Sequence, residues 1–373
     1  MWRRFFFLLI LGSGIAVDAC GSQTFSTSPA EDAGPQDGST ADGSTSDSSP
    51  NDGGGLSDGS PDDSGLPEGT IVLVSGQDNP HDLIVSNGHL YWTNYSEALG
   101  HGSIATANID GSEFRVVAVA THGNRIAFDG TTIFWSDFVS PDTTNSIIGS
   151  APIDGGPGIQ LQQFAIAPMG LAVDDQFLYT TSLFGFSGVG TVGVLDKITG
   201  IQVATIASGL DNPVSVAATS QGIVWTSIGV TPSSGQVGVG TIEAGVITIA
   251  PSLPAPWGIT TTPSLIYVTT LNALDASTAG GVVAVTYTDA ATSAVSDGVG
   301  VRPYFIASDS TNLYWTEEGA GIANGNVAWT SQLVQSRQFI ATGQERPHGI
   351  AVDDQYVYWT SYTNGKIYRS PKP

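Results

Sequence analysis

One short phrase, written seven times, governs what this chain can fold into. Leu90-Tyr91-Trp92-Thr93 returns as Ile133-Phe134-Trp135-Ser136, Leu178-Tyr179-Thr180-Thr181 and Ile223-Val224-Trp225-Thr226. It returns again as Ile266-Tyr267-Val268-Thr269, Leu313-Tyr314-Trp315-Thr316 and Val357-Tyr358-Trp359-Thr360. Successive copies begin 43, 45, 45, 43, 47 and 44 residues apart. A unit of that size buries its apolar face only by stacking on its neighbours. Before each copy stand a Pro or Gly and a short apolar run, as in Pro347-His348-Gly349-Ile350-Ala351-Val352. After it come a polar, Gly-rich loop, a third strand-like run, a tight turn such as Ile109-Asp110-Gly111-Ser112, and a fourth run. Asp-Gly between strand-like runs signals a hairpin. The expected fold is all-β: a seven-bladed β-propeller of four-stranded blades, with a six- or eight-bladed ring as the alternative.

The ends of the repeat array predict how the ring closes. The last repeat stops after its third strand, near Lys366-Ile367-Tyr368-Arg369, and an extra strand-like run at 70–74 precedes the first. That run is expected to complete blade seven and latch the ring, which leaves few open sheet edges. Small residues Ala127, Ala172, Ala217, Ala307 and Ala351 recur on the first strands. They suit the crowded position nearest the axis. The propeller is assigned to residues 68–373.

What precedes the repeats reads as an address and a tether. Residues 1–19 open with Met1-Trp2-Arg3-Arg4, run apolar from Phe5 to Ile10, and end in Val17-Asp18-Ala19 before Cys20. A basic start, a short apolar core and a small residue before a cut site form a secretory signal peptide. The apolar run is too short to span a bilayer. Residues 21–67 hold eight Asp, one Glu and no Lys or Arg among Ser, Gly, Pro, Thr and Ala. Such a segment has too little apolar surface to offset its ordering entropy and is expected to be a disordered linker. Its root-mean-square reach is roughly 35–40 Å. The whole chain carries 34 Asp and Glu against 11 Lys and Arg, a formal charge of −23. That balance excludes a nucleic-acid binder, which needs clustered basic residues. It also excludes an electrostatic grip on anionic lipid. One Cys excludes a disulfide framework.

The start and the repeats each carry a resemblance. Val17 and Ala19 ahead of the lone Cys20 resemble a bacterial lipoprotein signal, which implies cleavage before Cys20 and lipid attachment to it. Gly21 after the cysteine implies sorting to the outer membrane. The tyrosine-tryptophan-threonine phrases, with Ile350-Ala351-Val352-Asp353, resemble propellers of the YWTD and NHL type over residues 68–373. The blade count and the phrase around His348 also resemble virginiamycin B lyase. That second resemblance implies a divalent metal and His and Glu residues on one face. Blade seven carries Thr360-Ser361-Tyr362 after its second strand, where the lyase resemblance expects a carboxylate.

Loop lengths choose the face. The connections between second and third strands are long, at 94–102, 137–146, 182–190, 227–235 and 317–325, whereas the opposite side has tight turns. Function collects on long loops held by a rigid scaffold. The residue after the Pro or Gly opening each first strand should line the channel mouth there: His81, Asn124, Met169, Val214, Trp257, Tyr304 and His348. Ring closure places His81 and His348 on adjacent blades, where two imidazoles hold a metal, shuttle a proton, or simply bond loop backbone. Asp137 and Glu317, just past their second strands, are candidate rim carboxylates. Trp257, Tyr304 and Met169 offer an aromatic, apolar side that suits a sugar or a peptide. Asp129, Asp174, Asp309 and Asp353 read as turn acceptors on the far face.

The expected function is a non-catalytic binding module without a cofactor. It is a monomer anchored to the cell envelope by lipid alone, and it captures a protein or glycan at the cell surface. A metal-assisted lyase or hydrolase at the channel mouth and a structural partner in an envelope complex are the alternatives.

Overall fold

Each repeat becomes one antiparallel sheet. In blade one the strands are Pro80–Ser86, His89–Asn94, Gly102–Asn108 and Arg115–Ala120, hydrogen-bonded in that order. Six of the seven sheets use four consecutive strands. The seventh joins Pro347–Val352, Tyr356–Ser361 and Lys366–Pro371 to Ile71–Val74 from the other end of the domain, with Ile71 opposite Arg369 and Val72 opposite Tyr368. The protein is a seven-bladed β-propeller, latched as the repeat ends predict.

This computed structural model describes residues 66–96, 102–137, 146–153, 156–164, 167–183, 189–231, 233–271, 280–300, 302–319, 321, 323–333 and 336–373. All fall in the unit Gly65–Pro373. The segments expected to be a signal peptide and a linker, with Cys20, and parts of the long loops lie outside the described residues. No described helix is long and apolar enough to cross a membrane.

The repeated phrase works because side chains alternate across a strand. Tyr91 faces forward into a cluster with Ile126, Ile133 and Trp135 of blade two. Trp92, one residue on, faces back into a cluster with Tyr358 and Ile367 of blade seven. The same exchange pairs Tyr179 with Trp225 and Tyr267 with Trp315. The core is therefore a set of layers between blades. Truncating one such aromatic typically costs about 3–5 kcal/mol.

The threonine that closes the phrase has a different task. Every first strand slips register near its start, as between Pro80 and Leu83 or Pro303 and Ile306. The bulge sets two consecutive residues, such as His81 and Asp82, against the channel and takes their backbone out of the ladder. A hydroxyl donates and accepts at once, so it can replace both lost bonds. Thr93 Oγ1 accepts from the Asp82 N–H and donates to the Asn124 carbonyl of the next blade, both at 3.1 Å. Thr269 accepts from Gly258 at 2.8 Å and donates to Tyr304 at 2.7 Å. Thr316 accepts from Phe305 at 3.2 Å and donates to His348 at 2.6 Å.

On the far face the first strands end in aspartate-capped turns. Asp353 Oδ1 accepts from the N–H groups of Gln355 and Tyr356, at 2.8 and 2.7 Å, and Oδ2 accepts from the Tyr358 hydroxyl at 2.7 Å. Asp174 and Asp309 repeat the arrangement with Tyr179 and Tyr314. Asp129 caps its own turn and pairs with Lys197 at 2.9 Å.

Candidate binding site at the channel mouth

The residues that follow the opening Pro or Gly of the seven first strands, His81, Asn124, Met169, Val214, Trp257, Tyr304 and His348, are all buried. On one side of the ring they form a continuous stack. Trp257 lies on Tyr304 at 4.9 Å and 30°, Tyr304 on His348 at 4.8 Å and 27°, and His348 on Tyr362 at 4.7 Å and 31°. Arg346 covers the outer face of Tyr362 at 4.8 Å. His81 meets His348 edge to face, with ring centres 5.0 Å apart. The other side is quieter: Asn124 Nδ2 points to Met169 Sδ at 3.7 Å.

The two imidazoles are neutral. Burial pushes His81 well below the ordinary histidine range, and the neighbouring His348 and Arg125 add to the effect. Its Nδ1 sits 3.0 Å from the Asn124 carbonyl, an acceptor only, so Nδ1 carries the proton and Nε2 the lone pair. Burial likewise lowers His348, against the pull of Glu318. His348 Nε2 approaches Glu318 Oε1 at 3.6 Å, beyond hydrogen-bond distance, and among the described residues neither of its ring nitrogens has a hydrogen-bond partner. Burial also raises Tyr304 above the normal phenol range, so its hydroxyl stays protonated.

The candidate carboxylates Asp137 and Glu317 serve the scaffold. Asp137 accepts from the backbone N–H groups of Thr121 and His122, at 2.6 and 2.5 Å. Glu317 accepts from Trp315 Nε1 and Asn326 Nδ2, each at 2.9 Å, and pairs with Arg337. The carboxylate beside His348 belongs to Glu318, one residue on. Burial alone would raise Glu318; contact with His348 and the charges of Arg302 and Arg346 overcome that and hold it well below the carboxylate range. Arg346 Nε donates to it at 2.9 Å, and Arg302 Nη1 lies at 3.1 Å. Strand alternation accounts for the one-residue difference. Thr316 faces the next blade, so Glu318 shares its side and Glu317 does not. Tyr95, Ile228, Leu271 and Tyr362 occupy the position of Glu318 in their own blades and are also buried. Each donates its N–H to the residue just before the proline that opens its own blade, for instance Tyr95 to Asn79 and Tyr362 to Arg346.

One layer deeper, the second residue of each bulge turns to the axis. At Gly170, Gly258 and Gly349 the neighbouring first strand comes too close for a side chain; a Cβ on Gly258 would collide with the Tyr304 carbonyl. Asp82, Arg125, Ser215 and Phe305 carry the side chains of this layer. Arg125 is buried, with its guanidinium 4.2 Å over the Phe305 ring and Nη2 3.3 Å from Ser215 Oγ. The repeat pattern marks the Arg125 position only as an inward strand residue.

The described residues of the mouth do not form a divalent-metal donor set. Among the described residues no three His, Cys, Asp or Glu side chains gather as metal donors. Glu317 is committed to Trp315, Asn326 and Arg337, and Glu318 is neutralised by two guanidiniums.

The molecule is thus a β-propeller with stacked rings and two neutral histidines at one end of its channel. No protein-family model matches the chain, and no curated protein matches it in sequence. Among solved structures it is similar to virginiamycin B lyase from Staphylococcus aureus, with a TM-score of 0.63 at 15% identity over 82% of this chain and 98% of that one. It is similar also to hydrazine synthase of Kuenenia stuttgartiensis, with a TM-score of 0.65 at 14% identity over 80% and 97% of the two chains. The propeller domain of the Trilobed protease from Pyrococcus furiosus gives 0.53 at 11% identity, over 79% and 96%. At these identities the likeness establishes the fold.

Proposed function

We propose that this chain is an envelope-anchored binding module of YWTD/NHL-like type. Lipid on Cys20 holds it at the outer membrane, and a protein or glycan is captured over the channel mouth. The observation that carries the reading is the stack Trp257–Tyr304–His348–Tyr362, in which both His348 nitrogens lack hydrogen-bond partners among the described residues. Unbonded buried polar atoms are costly, and a ligand that bonds them removes the cost. Flat aromatic rings supply apolar area with little conformational entropy to lose.

The test is a titration of the full chain with glycan and peptide libraries, read by tryptophan emission. A ligand found this way loses at least about tenfold in affinity, or 1.4 kcal/mol, with Tyr304→Ala. It is unaffected by Asp354→Ala on the far face. Equal binding by Tyr304→Ala refutes the reading.

A second reading, acid–base catalysis, draws on His81 alone: a neutral imidazole with a defined tautomer is equipped to take a proton. The Staphylococcus aureus lyase has also been solved in a catalytically inactive form with quinupristin, which is a statement about that protein. For this chain the donor set argues against a metal-assisted step, and none is proposed.

A further inference from the structure

We propose that the ligand seated at this mouth is anchored by a carboxylate, which Arg125 receives from inside the channel. This deepens the binding reading, on which it rests for the position of the ligand, and adds the ligand's chemistry. An arginine does not shed its charge at accessible pH, so burying one without an anion costs several kcal/mol. Arg125 is only 6% exposed. Among the described residues its guanidinium makes no ion pair, its one hydrogen bond is the long contact to Ser215 Oγ, and its Nε has no partner.

The neighbouring acids are otherwise engaged. Asp82 Oδ1 accepts from the Leu83 N–H at 2.9 Å and Oδ2 from the Ile126 N–H at 3.1 Å. Burial raises its carboxyl above the ordinary range in spite of the nearby Arg125. Glu318 is held by Arg302 and Arg346. A chain with 11 basic residues and a charge of −23 has therefore brought Arg125, Arg302 and Arg346 to one channel end against Glu318 and Asp82. The Phe305 ring fixes the plane of the Arg125 guanidinium, as a fork-shaped carboxylate site requires. Tyr304 acts on Arg125 and stacks on Trp257, so the favoured ligand carries its carboxylate on an aromatic body.

Thermal melts of the full chain test this with benzoate, indole-3-acetate and N-acetylphenylalanine, each set against its uncharged amide. The expected result is a rise in melting temperature with the acids and a response at least tenfold weaker with the amides. Arg125→Met abolishes the response to the acids while the free protein melts no lower than the wild type, because an apolar chain replaces a buried charge whose neighbour Asp82 acts on it without a salt bridge. Should Arg125→Met fail to fold, Arg125→Lys keeps the charge without the fork and weakens the acids at least tenfold. Amides that equal the acids overturn the carboxylate and leave the binding reading standing. A flat response to every acid, or undiminished binding by either variant, also overturns it. The library titration with Tyr304→Ala decides the binding reading separately.

Discussion

The hydroxyl of Thr360 donates to the carbonyl of His81 at 3.1 Å, across 279 positions of sequence. The same oxygen accepts from the Gly349 N–H at 2.8 Å. The second strand of the last blade is thereby tied to the first strand of the first. This seam is independent of the strand latch between Ile71–Val74 and Lys366–Pro371.

Thr360→Val keeps the shape and removes both bonds. Two buried backbone groups lose partners, at about 1–3 kcal/mol each. The expected loss is therefore at least about 2 kcal/mol in a urea melt, and Thr360→Ser recovers most of it. A valine variant as stable as wild type would show that the seam contributes nothing.

Gly349 and Gly258 report the closeness of neighbouring first strands. A Cβ on Gly349 would meet the His81 carbonyl at 2.7 Å and the Leu83 nitrogen at 2.8 Å. Because the contact is with backbone, neither side yields cheaply. Gly349→Ala is expected to destabilise by about 1–3 kcal/mol. Gly130→Ala serves as the contrast: no atom lies within 4 Å of its Cβ, and its φ of 100° makes any loss there one of backbone strain alone.

The histidine pair sets a pH dependence. His81 and His348 both fold with a pKa below the usual value of 6.5. As pH falls through 6.5 the unfolded chain takes up protons that the folded one refuses. Their contribution is complete above pH 7 and declines on acidification, by at most about 1.4 kcal/mol per pH unit for each ring. The depressed carboxyls of Asp309 and Glu318 act in a lower window, losing stability only as pH falls below the ordinary carboxylate range. Urea melts between pH 7.5 and 5.5 should show a shallower slope in His348→Gln than in wild type. Parallel slopes would mean that the ring titrates alike in the folded and unfolded chains and that its pKa is not lowered by folding.

Glu317→Ala strands Trp315 Nε1, Asn326 and the half-buried Arg337. Removing one partner of a buried pair costs about 3–5 kcal/mol. The variant is expected to be markedly less stable yet to bind mouth ligands as wild type does at a temperature where both are folded. Lost affinity there would place Glu317 in the site.

For the anchor, Cys20→Ala is expected to move the protein from the membrane fraction to the soluble one. Continued sedimentation with membranes would remove the lipid from the account.

Blade number, strand order and latch could be read from the chain because each depends on a pattern repeated many times. The site depends on single departures from that pattern. Glu317 and Glu318 are adjacent acids, and only the alternation running from Tyr314 through Thr316 tells which one faces His348. Arg125 carried a signal that composition hides: one charge inside Gly123-Asn124-Arg125-Ile126-Ala127-Phe128, a strand otherwise suited to burial. The stacking of Trp257 on Tyr304 and of Tyr304 on His348 follows from the radial arrangement of blades, which no local segment encodes.

The bulge at the head of each first strand has an evolutionary consequence. Its backbone bonds are met by a threonine or serine hydroxyl from the second strand in blades as different as those of Asp82, Arg125 and Gly349. The side chain at that seat is therefore not needed for those bonds, although a Cβ at Gly349 would meet the His81 carbonyl and Asp82 accepts from two backbone N–H groups. Where the neighbouring strand leaves room for a side chain, as at Arg125, Ser215 and Phe305, a lineage can exchange base, hydroxyl or ring one blade at a time and alter what the channel recognises, while the scaffold beneath is inherited unchanged.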